Sequence, residues 1–290
     1  MNWPRQAITP LFALLFAPAL FAQRARMPSD SLRDQFADVN GVRLHYRIGG
    51  NGPTLVLLHG MTMSAAWWNA LAPQLLTDHR VIVPDLRGHG SSTNPSGIFR
   101  QPDAATDVVA LLDRVGIREF SLLGHSAGAG ISLHIAAHVP ERVQKMMIIS
   151  LAHRVTDDAR AGWSNFPPLD STPPQFRTYW LSIHHGGRPQ IDQVLAYLRH
   201  FADSAQDLNL PSEMMGRIKT PTMIVVGDRD EIAPVEIATE LYRKLPNAQL
   251  WVVPNTGHSP VWAEWGGNPA AATAFPGVVK SFFAASAPMR

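Results

Sequence analysis

The chain has 290 residues, of which 46% are hydrophobic and 17% charged, and its formal net charge is +2 at pH 7. This composition is typical of a globular protein and excludes an intrinsically disordered chain, and the small net charge gives no reason to expect nucleic acid as a partner. The sequence contains no cysteine, which excludes disulfide bonds, a thiolate nucleophile and zinc–thiolate sites.

The N-terminal segment has the pattern of a secretory signal peptide. It carries a positive charge at Arg5, followed by an apolar stretch from Pro10 to Phe21 that is too short to cross a bilayer. Small residues at its end predict cleavage after Ala19 or Ala22. We therefore expect residues 1–22 to be removed and the protein to be exported to the periplasm or secreted, without a stable membrane anchor. An uncleaved N-terminal anchor is the alternative.

The chain that follows alternates strand and helix patterns. A β-hairpin is predicted around Asn40-Gly41, a dipeptide that two-residue hairpin turns prefer. Apolar runs typical of strands buried on both faces occur at residues 54–58, 80–84, 120–123, 143–151, 221–226 and 249–253. Helices are predicted at about residues 65–76, 103–115, 131–139 and 235–245, with a last helix that ends near Phe283. This alternation predicts an α/β fold with a mostly parallel, twisted sheet flanked by helices.

The alternation is interrupted between residues 152 and 219. This stretch contains Pro167-Pro168, Pro173-Pro174 and Gly186-Gly187, and its apolar residues occur in short amphipathic pieces. We therefore predict a mainly helical cap insertion at 152–219. Residues 23–151 and 220–290 are predicted to form the two parts of one core.

Five short motifs occur in order along the core. They are His59-Gly60, Asp85-Leu86-Arg87-Gly88-His89-Gly90-Ser91-Ser92, Gly124-His125-Ser126-Ala127-Gly128, Gly227-Asp228-Arg229-Asp230 with Pro234, and Thr256-Gly257-His258. The third lies between a strand and a helix, which is the context of a nucleophile elbow. Together the motifs resemble the α/β-hydrolase superfamily, of the capped, esterase-like kind, over roughly residues 36–283.

The resemblance implies a catalytic triad. A serine hydroxyl needs a base, and the base needs an orienting acid; in this family they follow the order Ser, Asp or Glu, His at strand ends. Ser126 is then the nucleophile and His258 the base. For the acid, Asp228, Asp230 and Glu231 share one loop; Asp230 is favoured because it lies deeper in that loop. Asp157 and Asp158, after the preceding strand, are weaker candidates for the acid.

The resemblance also implies an oxyanion hole made by the backbone N–H groups of Met61 and Ala127. His59, Arg87 and His89 are expected to have structural roles. The predicted substrate pocket comprises Met61 and the side chains of Met63, Trp67, Phe99, Trp163, Phe166, Tyr179, Trp180 and Trp262, although each aromatic residue could instead pack in the core.

The predicted function is that of a serine hydrolase acting on a carboxylic ester or lactone of an apolar or aromatic small molecule. No Rossmann, Walker or His-Glu-x-x-His motif is present, so neither a cofactor nor a metal is expected, and adjacent His184 and His185 point in different directions. Serine at position 126 excludes the reaction of relatives that use an aspartate nucleophile. Amide or carbon–carbon bond hydrolysis, perhydrolysis without a cofactor, and a non-catalytic binding protein are the alternatives.

Overall fold

The computed structural model describes residues 32–203 and 210–284, so the predicted signal peptide lies outside the described residues. Eight strands form one sheet: β1 (Arg33–Val39), β2 (Val42–Gly49), β3 (Thr54–Leu58), β4 (Arg80–Pro84), β5 (Phe120–His125), β6 (Val143–Ile149), β7 (Thr222–Gly227) and β8 (Ala248–Val253). Their order across the sheet is β1-β2-β4-β3-β5-β6-β7-β8. Neighbouring strands are consecutive in the chain except at two places, where β2 lies beside β4 and β3 lies beside β5.

The sheet is antiparallel at one end and parallel elsewhere. β1 pairs with β2, and β2 with β4, in antiparallel register, whereas β3 to β8 pair in parallel. The β1–β2 turn is made by Asn40 and Gly41, which both have positive φ, at +46° and +78°. A two-residue turn of this kind requires positive φ at both positions, and the predicted hairpin is confirmed.

Nine helices accompany the sheet among the described residues. They are α1 (Ala72–Leu75), α2 (Gln101–Arg114), α3 (Ala127–His138), α4 (Asp157–Ser164), α5 (Pro174–Ile183), α6 (Gly187–Asp203), α7 (Ser212–Arg217), α8 (Val235–Lys244) and α9 (Pro269–Ala284). The single helix predicted at residues 65–76 is wrong. The Ser64 hydroxyl caps a short 3₁₀ turn at Ala65–Trp68, and α1 begins separately with Pro73 in its first turn.

Two hydrophobic layers cover the sheet, because successive side chains of a strand point to opposite faces. Val56 and Leu58 of β3 join the layer that contains α2, α3 and α8, whereas Leu55 and Leu57 join the layer that contains α1 and α9. Both faces of the central strands are therefore buried. The predicted α/β architecture, with its mostly parallel sheet flanked by helices, is confirmed.

The segment between β6 and β7 is helical, with α4 to α7 and no strand among its described residues. It has its own apolar cluster, which we call the cap cluster: Leu169, Trp180, Ile183, Ile191, Leu195 and Leu198. None of the described helices is both long and apolar enough to span a membrane.

Hydrogen bonds attach this helical segment to the loop that follows β4. The Gln190 side chain donates to the carbonyl oxygens of Gly88 and Gly90, at 3.1 and 3.0 Å, and the backbone N–H of His185 also donates to Gly90. Gln193 donates to the carbonyl of Gly97 at 3.1 Å. The first turns of α6 are thus fixed on the core beside the carboxyl ends of the strands.

Candidate active site

Ser126 lies at a sharp turn between β5 and α3. Its backbone has φ +53° and ψ −117°, a conformation that costs a non-glycine residue about 1–3 kcal/mol. The turn needs glycine on both sides: a Cβ at Gly124 would lie 2.4 Å from the carbonyl oxygen of Gly128, and one at Gly128 would lie 2.3 Å from that of Leu58. The Gly-x-Ser-x-Gly motif therefore forms the close strand-to-helix turn expected of a nucleophile elbow.

His258 connects Ser126 to Asp230. Its Nε2 is 3.0 Å from the Ser126 Oγ, and its Nδ1 is 3.0 Å from each carboxylate oxygen of Asp230. Since a carboxylate only accepts hydrogen bonds, Nδ1 carries the proton and Nε2 is free to accept the serine hydroxyl proton. The structure thus brings together the three side chains predicted from the sequence, in the geometry that general-base activation of a serine requires.

Asp230 is buried and held in its ionised form. Burial opposes ionisation, but the adjacent His258, the backbone N–H of Ala233 and the hydroxyl of Ser150 outweigh it, so the pKa of Asp230 lies below its usual value. The backbone N–H groups of Ile232 and Ala233 donate to Oδ1, at 3.0 and 2.8 Å. A carboxylate that is fixed and negative at this position stabilises a protonated His258.

The other carboxylates considered for the acid do not reach His258. Asp228 is exposed and instead accepts a hydrogen bond from the backbone N–H of Thr256 at 3.1 Å. Glu231, Asp157 and Asp158 are also exposed. Of the carboxylates considered, Asp230 is the one that lies within hydrogen-bond distance of His258.

The loops that carry Asp230 and His258 are in close contact. A Cβ at Gly227 would lie 2.2 Å from the carbonyl oxygen of Thr256, so only glycine lets the two loops approach this closely. The backbone N–H of Arg229 donates to the same oxygen at 3.0 Å. The acid and the base are thus positioned by backbone contacts as well as by their own hydrogen bonds.

The loop after β3 lies directly against the elbow. A Cβ at Gly60 would be 3.2 Å from the Cβ of Ser126, so the backbone before Met61 approaches the nucleophile closely. His59 fixes this loop: its Nε2 accepts from the backbone N–H of Leu86 at 3.0 Å, and its Nδ1 donates to the carbonyl of Gly60 at 2.8 Å. His59 is fully buried, which lowers its pKa and keeps it neutral, consistent with the structural role expected.

Arg87 and His89 also have structural partners. Arg87 forms a bidentate ion pair with buried Asp107, at 2.6 and 2.8 Å. His89 is buried, and its Nδ1 donates to the carbonyl of Arg87 at 3.0 Å. In the same loop, Asp85 accepts from the backbone N–H groups of Ala65 and Ser91, at 2.6 and 2.9 Å. These contacts hold the loops around the site in place.

The predicted pocket residues divide into two groups. Trp67, Phe99 and Trp262 are almost fully buried within the two layers that cover the sheet, so their pocket assignment is corrected to core packing. Trp180 is buried inside the cap cluster. The side chains that remain half-buried at the margins of these clusters, where a substrate could touch them, are Met61, Met63, Trp163, Phe166 and Tyr179.

The sequence reasoning missed Trp265, which lies in the loop between β8 and α9 that also carries His258 (residues 254–268, here called the base loop) and links that loop to the cap. Its ring centroid lies 4.8 Å from that of Tyr179 on α5 and 5.3 Å from that of Trp67. Its spacing of three residues from Trp262 is a weak signal that the loop carries two packed aromatic rings.

His184 and His185 have separate partners, Trp180 and Ser91, and no group of three metal-ligating side chains lies among the described residues.

Comparison with known proteins agrees with this fold. Residues 53–182 match the model of a family described as having the alpha/beta hydrolase fold. The chain is 29% identical to a pimeloyl-[acyl-carrier protein] methyl ester esterase from Nitrosomonas europaea, over 75% of this chain and 93% of that protein. It is 26% identical to a 2-hydroxy-6-oxo-6-phenylhexa-2,4-dienoate hydrolase from Burkholderia cepacia, over 82% and 93%. The enol-lactonase structure from Burkholderia xenovorans superimposes with a TM-score of 0.70 at 23% identity, over 87% of this chain and all of that one.

Proposed function

Because residues 53–182 match the family with the alpha/beta hydrolase fold, we propose that the chain is a serine hydrolase that cleaves a carboxylic ester or lactone of an apolar or aromatic substrate. The observation that carries this proposal is the position of His258, 3.0 Å from both the Ser126 hydroxyl and the Asp230 carboxylate. The relatives named as an ester esterase and an enol-lactonase support the same reaction class.

In the first half of the proposed reaction, the Ser126 Oγ attacks the carbonyl carbon of the ester while Nε2 of His258 takes its proton. The negative charge moves to the carbonyl oxygen, and Asp230 stabilises the imidazolium that forms. The tetrahedral intermediate then collapses: the bond to the alcohol oxygen breaks, and His258 donates its proton to the leaving alcohol. The product is an acyl-enzyme on Ser126.

In the second half, a water molecule attacks the acyl carbon and His258 takes its proton. The intermediate collapses with release of the carboxylic acid, and the proton returns to the Ser126 oxygen. In both halves the oxyanion is bound by the backbone N–H groups of Ala127 and Met61. Donors placed where charge develops in this way are each worth about 3–4 kcal/mol of barrier.

The side chains around the site favour an uncharged substrate. Met61 and Trp163 each contact both a core layer and the cap cluster, so they place apolar surface between the cap and the strand ends. Each arginine described in the cap is already bonded to a protein acceptor; these are Arg154, Arg160, Arg177, Arg188, Arg199 and Arg217. An apolar or aromatic acyl or alcohol group fits this environment better than a carboxylate does. Because residues 1–22 have the pattern of a signal peptide, we also propose that the enzyme works outside the cytoplasm.

The proposal is tested with a series of 4-nitrophenyl esters, from acetate to long-chain acyl groups. The Ser126→Ala variant should lose at least about 10⁴-fold in kcat, because the nucleophile is removed while the fold is kept. The Ser182→Ala variant is the matched control, since Ser182 is an exposed serine in α5. Hydrolysis at a comparable rate by wild type and Ser126→Ala would remove Ser126 from the mechanism, and a wild type active only on amides would exclude the ester substrate.

A further inference from the structure

His125 lies between the base loop and the loop that follows β3 and carries Met61 (residues 59–64), which we call the oxyanion loop. It is the residue before Ser126, at the end of β5, and only 3% of its surface is exposed. Its ring stacks on Trp67, with centroids 5.1 Å apart and planes inclined by 20°, and it also packs against Trp262 at 4.9 Å. Two large aromatic side chains thus hold the imidazole in one orientation.

One ring nitrogen of His125 is bonded to the backbone of the catalytic base. Nε2 lies 2.9 Å from the carbonyl oxygen of His258. A carbonyl only accepts, so Nε2 carries the proton and Nδ1 does not. Burial, together with the nearby His258, lowers the pKa of His125 to about 3, so the ring is neutral at neutral pH and its Nδ1 carries no proton.

The other side of the ring faces the oxyanion loop. A Cβ at Gly60 would lie 3.0 Å from Nδ1 of His125, so the imidazole is in direct contact with the backbone that precedes Met61. His125 therefore touches the base loop on one edge and the oxyanion loop on the other. A shift of this ring would change the distance between the general base and the oxyanion donors.

We propose that His125 is a positioning residue, which fixes the backbone of His258 relative to Ser126 and the oxyanion loop through the Nε2–H bond to the His258 carbonyl. The inference rests on the proposed function, because it assigns a role in the same reaction. The hydrogen bond makes no contact with the substrate, so its loss should lower kcat and leave KM nearly unchanged. A misplacement of about 1 Å in a catalytic group costs up to about 100-fold in rate.

Three substitutions separate the hydrogen bond from simple packing. His125→Phe keeps the aromatic ring on Trp67 but removes the donor. His125→Gln places an amide nitrogen near the position of Nε2, whereas His125→Asn reaches only the position of Nδ1. We expect the Phe and Asn variants to lose about 10- to 100-fold in kcat with KM within threefold of wild type. The Gln variant should recover to within about fivefold of wild-type kcat.

The rate of covalent labelling of Ser126 by a fluorophosphonate is measured in parallel, since it reports the reactivity of the triad without a natural substrate. It should fall in the Phe and Asn variants and recover in Gln. Equal losses in Gln and Asn, or a Phe variant within twofold of wild type, overturn the inference. If the Phe variant does not fold, as shown by circular dichroism, the comparison of Gln with Asn decides. A wild type that is neither labelled nor active on esters overturns the proposed function itself.

Discussion

Alanine at Gly128 should destabilise the fold and impair the site together. Gly128 is the second residue of α3, where alanine would normally favour a helix. A Cβ at this position would however lie 2.3 Å from the carbonyl oxygen of Leu58 and 2.7 Å from that of His59. Both atoms belong to backbone, which cannot turn aside as a flexible side chain could.

The expected loss of stability in Gly128→Ala follows from these contacts. Forcing extra volume into a packed interior costs about 1–3 kcal/mol, and the rigid backbone on both sides places Gly128→Ala at the upper end, about 3 kcal/mol. For a chain of this size that lowers Tm by roughly 5–6 °C. The displaced atoms precede Gly60 and Met61, so the oxyanion loop must move with them. We therefore expect kcat for ester hydrolysis to fall at least 10-fold in the protein that remains folded.

The matched control is Gly277→Ala in α9, because a Cβ at Gly277 meets no atom within 4 Å and the residue is exposed. The same substitution there should stabilise the protein by about 0.5–1 kcal/mol and leave kcat unchanged. Urea unfolding measures the free energy of unfolding of both variants, and differential scanning calorimetry measures their Tm. A Gly128→Ala protein as stable as wild type would refute the steric reasoning, whatever its activity.

Two further predictions concern the acid and a buried histidine. Asp230→Asn should lower kcat about 10⁴-fold, measured at saturating ester, whereas Asp228→Asn should stay within threefold; similar losses in both would contradict the assignment of the acid. Burial lowers the pKa of His184 to about 4, below its unfolded value of 6.5, so protonation of the unfolded chain costs stability as pH falls from 6.5 to 4. The loss from this residue reaches about 3 kcal/mol, and His184→Asn should remove that part of the pH dependence in urea unfolding. An unchanged slope in the variant would show that His184 is not the group responsible.

The site was predictable from the sequence where local pattern determines position. Ser126, Asp230 and His258 each follow a strand of a parallel sheet, and the carboxyl ends of such strands meet at one edge. The sequence distinguishes Asp228 from Asp230 less clearly than it identifies Ser126 and His258, because both aspartates lie in one short loop. The choice between them depends on contacts between distant parts of the chain, in which the Asp228 carboxylate accepts from the Thr256 N–H and the Asp230 carboxylate from His258.

The pocket was the least predictable part. Trp67 and Trp262 follow strands at the correct edge of the sheet, yet their rings pack together 4.6 Å apart within a core layer. Whether an aromatic side chain in a loop points into the core or into the pocket depends on how the whole loop packs, and a local sequence pattern does not show this. For the same reason Trp265, which joins the base loop to α5, could not be distinguished in advance from the other tryptophans.

The attachment of α6 to the core has a consequence for protein engineering. The bonds from Gln190 and Gln193, and that from the His185 backbone, all end on carbonyl oxygens of Gly88, Gly90 and Gly97. A main-chain carbonyl accepts whatever side chain its residue carries. Gly88, Gly90 and Gly97 however all have positive φ, and a Cβ at Gly88 would lie 2.7 Å from the Tyr197 hydroxyl of α6, so the junction requires glycine in the loop. A chimaera that receives the helical segment of another protein with this fold needs amide donors at the equivalents of residues 190 and 193. Such exchanges offer a route to new selectivity on an unchanged reaction centre.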